Sequence, residues 1–108
     1  MAFTPYHNVD GSNGVDVELI EPKSGVSGIK SILITNTHAT ADATVTLFIE
    51  NDPTAAAASI FKILNTVAIP SDTSLLLDNR SVINFDNSTY GLYLTVGSSD
   101  TLDVMINI

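Results

Sequence analysis

Cysteine and tryptophan are both absent from these 108 residues. Without cysteine there is no disulfide framework, no thiolate metal site and no thiol nucleophile, and the redox compartment stays open. Basic residues are scarce: Lys23, Lys30, Lys62 and Arg80 stand against twelve acidic ones, for a net charge of −8. Binding nucleic acid needs a stripe of Lys and Arg to displace counterions, and these four are scattered singly, so no direct nucleic-acid role is expected. Long apolar runs are missing too; none approaches the ~18 residues of a membrane span. The stretch Met1 to Tyr6 shows neither a basic n-region nor an apolar h-region, so no secretory signal is visible. The sequons Asn79-Arg80-Ser81 and Asn87-Ser88-Thr89 carry meaning only in a protein secreted by a eukaryote.

What the chain does have is apolar residue in excess for its size, with a mean hydropathy of +0.28. Its length fits one domain with one core, able to bury roughly 65% of its unfolded surface. So much apolar residue under a strongly acidic surface points to area committed to partners.

Period-two alternation is the dominant pattern. Thr44 to Glu50 places Val45, Leu47 and Ile49 on one face, and the closing residues place Leu102, Val104, Ile106 and Ile108 opposite Asp103, Met105 and Asn107. Tyr90 to Val96 turns Leu92, Leu94 and Val96 inward, and Val15, Val17 and Leu19 alternate with Asp16 and Glu18. Ile29 to Thr35 and Ser74 to Leu77 are short, continuously apolar strands, which implies cover on the second face as well. Val82 to Phe85 reads as a further short strand. Turn chemistry falls between these runs at Ser24-Gly25 to Gly28, Asn36 to Ala41, Pro70-Ser71-Asp72, Asp78-Asn79, Asp86-Asn87 and Gly97 to Asp100. Asp52-Pro53 followed by alanines favours a helical turn to Ala58, after which Ile60 to Leu64 reads as strand. The expected fold is therefore all-β, an antiparallel sandwich or jelly roll of about seven or eight short strands over residues 15–108, with residues 1–14 as an N-terminal arm or loop.

Signals for chemistry are weak. His7 and His38 sit in no ligand spacing, and the strained Gly-x-Ser-x-Gly turn of a hydrolase is absent. Asp10-Gly11-Ser12-Asn13-Gly14-Val15-Asp16 has oxygen ligands at alternate positions, and Glu21 falls at the closing position of a calcium loop. Yet Val15 occupies the place that needs glycine, and no helices flank the loop. Asp100 with Asp103, or Asp72 with Asp78, read as acidic turn residues. Tyr6, Tyr90 and Tyr93 supply a poor sugar platform, because Tyr90 and Tyr93 lie at opposite parity on one strand. No catalytic residue, cofactor or metal is expected, and the chain reads as a non-enzyme. The outward apolar residues Phe48, Tyr93 and Met105, with Phe3 and Tyr6 of the arm, are the candidate interface set, because nothing evident covers them.

Met1-Ala2-Phe3-Thr4-Pro5-Tyr6, the Ile29 to Thr37 strand and turn, Thr44 to Leu47, Asn65 to Pro70 with Ser74 to Leu77, and Leu102 to Ile106 together resemble small virion structural proteins of tailed bacteriophages, especially those of marine bacteria and cyanobacteria. The resemblance implies a compact β-sandwich made in the host cytoplasm that joins the virion. There it would decorate or cement the capsid surface, or form part of the tail, neck or fibre. It further implies contact with the major capsid protein or other virion proteins, and a homo-oligomer, commonly a trimer, that adds its edges to neighbouring copies.

Overall fold

The computed structural model describes residues 4–11, 16–51, 58–97 and 100–108. Eight strands follow in chain order: β1 (Tyr6–Asp10), β2 (Val17–Ile20), β3 (Ser31–Asn36), β4 (Ala43–Glu50), β5 (Ile60–Ile69), β6 (Ser74–Leu77), β7 (Gly91–Val96) and β8 (Thr101–Asn107), with a single helical turn α1 (Arg80–Ile83) before β7. They form two four-stranded antiparallel sheets, ordered β1-β8-β3-β6 and β2-β7-β4-β5. Within these sheets β1 pairs with β8, β2 with β7, β3 with β6 and β4 with β5. The chain is thus a long hairpin folded at β4–β5 and rolled up so that its two arms close a sandwich, which is the jelly-roll arrangement.

Alternation explains the core. Ile32 and Ile34 of β3 and Leu102, Val104 and Ile106 of β8 are buried from the first sheet, and Val45, Leu47, Leu92 and Leu94 from the second. Ile49 and Val96 are half-buried against this cluster. Leu47 lies opposite Leu94 in the register of β4 and β7, at the centre of the second sheet.

Two irregularities bend the second sheet. Along β5 the register with β4 shifts twice, so that Thr46 faces both Asn65 and Thr66. Thr66 takes a φ of 54° there and donates its N–H to Thr46 Oγ1 at 3.0 Å, the geometry of a bulge. In β2 a shift between Glu18 and Ile20 lets Leu19 and Ile20 both be buried. Gly91 is what allows β2 to lie this close, since a Cβ there would sit 2.6 Å from the Ile20 carbonyl oxygen.

The structure departs from the sequence reading in three places. Tyr6–Asp10 is strand rather than arm: only Val9 among its residues is buried apolar, so backbone pairing with β8 and the Asn8 Nδ2 bond to Asp103 Oδ1 (2.7 Å) hold it, not apolar alternation. Arg80–Ile83 is a helical turn where a strand is read at Val82 to Phe85; Asn79 caps it by accepting the Ser81 N–H at 3.0 Å, and only Ile83 of the turn is buried. Ile60 to Leu64 continues unbroken to Ile69 as one strand. The helical turn read at Pro53 to Ala58 lies largely outside the described residues, as does Val15.

Leu47→Ala removes a fully buried side chain from the middle of this core, and is expected to lower unfolding free energy by about 2–5 kcal/mol. Denaturant titration should show a lower midpoint; an unchanged midpoint would place Leu47 outside the core.

Candidate docking face

The outer face of the first sheet is organised in rows that run across its strands. Tyr6 pairs with Met105, Met105 with Leu33 and Leu33 with Leu76, so one apolar side chain from each of β1, β8, β3 and β6 stands in line. Tyr6 is 69% exposed, Leu76 54% and Met105 43%, with Leu33 half-buried between them. Val82, 51% exposed on α1, lines the same surface hollow as Leu76 and prolongs the ribbon past β6.

Polar rows flank it. On one side Asn8, Asp103, Thr35 and Ser74 align by the same registers, joined by the Asn8–Asp103 bond and by a 2.8 Å contact between the Thr35 and Ser74 hydroxyls. On the other side Ser31 faces Asn107. Asp103 in the first of these rows and Asp78, which lines the Leu76–Val82 hollow, are the carboxylates beside the band among the described residues. A continuous apolar band between mostly polar rows, uncovered among the described residues, is the anatomy of an interface core and rim.

The candidate residues read from sequence divide between the two sheets. Tyr6 and Met105 are neighbours in the ribbon. Phe48 and Tyr93 do point outward, but on the second sheet, and they are only 5% and 3% exposed. Their rings stack on each other at 5.8 Å, flanked in register by Glu18 and Lys62. They therefore offer little surface to a partner. Phe3 lies outside the described residues. Leu33, Leu76 and Val82 were not read as interface, although the Leu75-Leu76-Leu77 run held the signal: at period two its middle member has to face away from the core. Ile60 and Phe61 are also exposed, at the free edge of the second sheet, with Phe61 edge-on to Tyr90 at 5.8 Å.

The residues with chemical potential are occupied by structure. His38 Nδ1 accepts the N–H groups of Thr40 and Ala41 at 3.1 Å, closing a turn, and His7 Nε2 bonds the Thr4 carbonyl. Asp100 accepts the Thr44 N–H at 3.0 Å and Asp16 the Thr95 hydroxyl at 2.6 Å. Among the described residues no cluster of three metal-ligating side chains forms; positions 12–15 of the calcium-like loop lie outside them. Tyr6 stands on one sheet and Tyr93 is buried on the other, so the three tyrosines do not converge on a sugar platform. An open groove of about 460 Å³ runs between the 23–27 loop and the 85–88 turn. Its one buried polar side chain, Asn87, is turned inward to the protein. Asn87 donates to the Glu21 and Tyr90 carbonyls and accepts from the Val26 N–H and the Ser24 hydroxyl, all within 3.0 Å. Asp86 accepts from the Ser88 hydroxyl and N–H and from Thr89, which holds its carboxyl below the usual range.

Comparison with known proteins finds no family model, no curated protein and no solved structure that matches this chain.

Two outcomes follow from these buried polar groups. Asn87→Ala removes the partner of the buried Val26 N–H and the Asn87 bonds to the Tyr90 and Glu21 carbonyls, the latter keeping only the Ser24 hydroxyl, and is expected to cost about 2–4 kcal/mol. A melting midpoint equal to that of the parent would contradict the stitching role. Burial, reinforced by the adjacent Glu18 carboxylate that accepts its hydroxyl at 3.2 Å, pushes the Tyr93 ionisation above its ordinary value of 10.0. Unfolding then releases a proton that the folded state retains. The contribution is intact below pH 10 and is lost as pH rises beyond it. Stability should fall more steeply above that pH in the parent than in Tyr93→Phe; parallel slopes would refute it.

Proposed function

We propose that this chain is a structural protein of a phage virion, a decoration or cement protein that acts by binding rather than catalysis and holds neighbouring subunits together at the capsid surface. The ribbon Tyr6–Met105–Leu33–Leu76 carries this reading. Four apolar side chains in register across a whole sheet face are costly to leave in water, and burial against another protein removes that cost. The jelly roll accords with the reading without deciding it, because the same architecture serves capsid subunits, lectins and small-molecule enzymes alike. The partners in this reading are the major capsid protein or other virion proteins, copies of the chain itself included.

The ordinary site for a small ligand is a concave pocket with converging polar groups that remain available. In the 23–27/85–88 groove the Asn87 amide is committed to four bonds within the protein. The apolar face is the surface with capacity left over.

Electron microscopy and quantitative mass spectrometry of particles that carry the chain test the proposal. High copy number with density on the shell is expected, and Leu76→Glu should abolish retention on particles without lowering the melting midpoint. A few copies confined to tail, neck or fibre would move the chain to that part of the virion, and absence from particles would end the reading altogether.

A further inference from the structure

We infer that the occupant of the ribbon is a second copy of this chain, packed face to face about a two-fold axis that runs along the ribbon. The inference rests on the reading of this face as an interface and adds the identity of its partner. Symmetry supplies the first reason. Asp103 and Asn107 lie on β8 two residues to either side of Met105, on the same outward parity. Rotation by half a turn about the ribbon lays ribbon on ribbon and exchanges the two flanking sides. Each Asp103 carboxylate then meets the partner copy's amide at position 107, and Thr35 meets the hydroxyl at position 31. The face is thereby its own complement, as an isologous contact requires.

Charge supplies the second reason. Two molecules of net charge −8 repel, and they associate most readily where like charges do not come into opposition. The flanking rows hold Asp103, already bonded to Asn8, and Asp78 at the β6 end; the axis sets Asp103 against the amide at position 107 and Asp78 against the hydroxyl at position 74 rather than either against its twin.

Area sets the strength. Four strands at about 4.8 Å spacing make a ribbon roughly 14 Å long, and with its flanking rows the face supplies about half of the ~800 Å² per partner of a standard interface. Exposed apolar patches of this size mark interaction sites, yet the area is too small for an obligate dimer. The pair should be weak and reversible. Three-fold association, which the phage resemblance implies, would have to use other surfaces.

Sedimentation velocity of the full chain, from micromolar to submillimolar concentration, tests this. A monomer–dimer equilibrium is expected. Leu76→Glu should raise its dissociation constant at least about tenfold, whereas Ala68→Glu, which adds the same charge on the exposed part of the second sheet, should leave it unchanged. Circular dichroism and melting confirm that each variant is folded. Asp103→Lys should weaken the pair, and Asn107→Asp added to it should restore association by setting opposite charges across the axis, despite a more negative chain. A strict monomer, a trimer, or a double variant no tighter than Asp103→Lys overturns the two-fold pair. If the chain is a strict monomer yet Leu76→Glu still loses particle retention, the face belongs to the shell protein and the attachment reading survives. If Leu76→Glu changes neither association nor retention, both fall.

Discussion

In β8 and β3 the side chains alternate strictly in and out, and the pairing between these two central strands fixes which set goes inward. Ile32 opposite Ile106 and Ile34 opposite Val104 deliver the first sheet's half of the core. The same register leaves Met105 opposite Leu33 on the far side. A slip of β8 by one residue would exchange its two faces, putting Asp103 and Asn107 into the core and Leu102, Val104 and Ile106 into water. Core and ribbon are therefore two consequences of one constraint. The inward set is large enough to enforce the register, and the outward apolar row is carried along at fixed positions.

The remaining strands are held by partners distant in sequence, so the roll depends on closures that local turns do not supply. Three buried or half-buried asparagines make them. Asn36 ties the end of β3 to Ala41 and to Ile69 at the end of β5, with its oxygen accepting the His38 N–H. Asn84 bonds both backbone groups of Ile29, standing in for a missing strand neighbour, and Asn87 joins the 21–26 segment to the turn before β7. Each amide offers two donors and an acceptor in a fixed plane, which suits it to satisfying the backbone of an irregular loop in a chain without disulfides. The Asn87 amide is turned inward and fully bonded, so the sequon around it serves architecture.

These relations also set how much was legible in the sequence. β4, β7 and β8 were readable because one face of each is continuously apolar: Val45, Leu47, Leu92, Leu94, Leu102, Val104 and Ile106 are buried as read and Ile49 and Val96 half-buried, whereas Ile108, read inward, lies past the end of β8 and is exposed. The outward parity of Phe48, Tyr93 and Met105 was equally readable. Their different exposure was not, because Phe48 and Tyr93 lie on adjacent strands and stack, while Met105 has Leu33 and Tyr6 as its register neighbours and no ring stacked over it among the described residues. Adjacency of strands distant in sequence is a property of topology, and periodicity within one strand carries no information about it. β1 escaped notice because Tyr-His-Asn-Val-Asp lacks an apolar face, and Leu76 because three leucines in a row conceal which one points out.

Topology also favours docking through a face over docking through an edge. The free edges of the two sheets are β1 and β6, and β2 and β5. β6 and β2 are four residues long, and β2 is interrupted by a register shift. β5 is long but bulged twice, with Lys62 beside Phe48, and a bulged edge carrying a lysine resists strand addition. The edge-to-edge contact expected from the sequence thus meets a chain whose edges are short or interrupted. Its outer faces differ in the opposite sense: the second sheet covers its two large rings with each other, and the first leaves its row open. Most of the described acidic residues lie in turns and loops, while Asp78 and Asp103 border the open apolar row of the first sheet and Asp10 stands farther along β1.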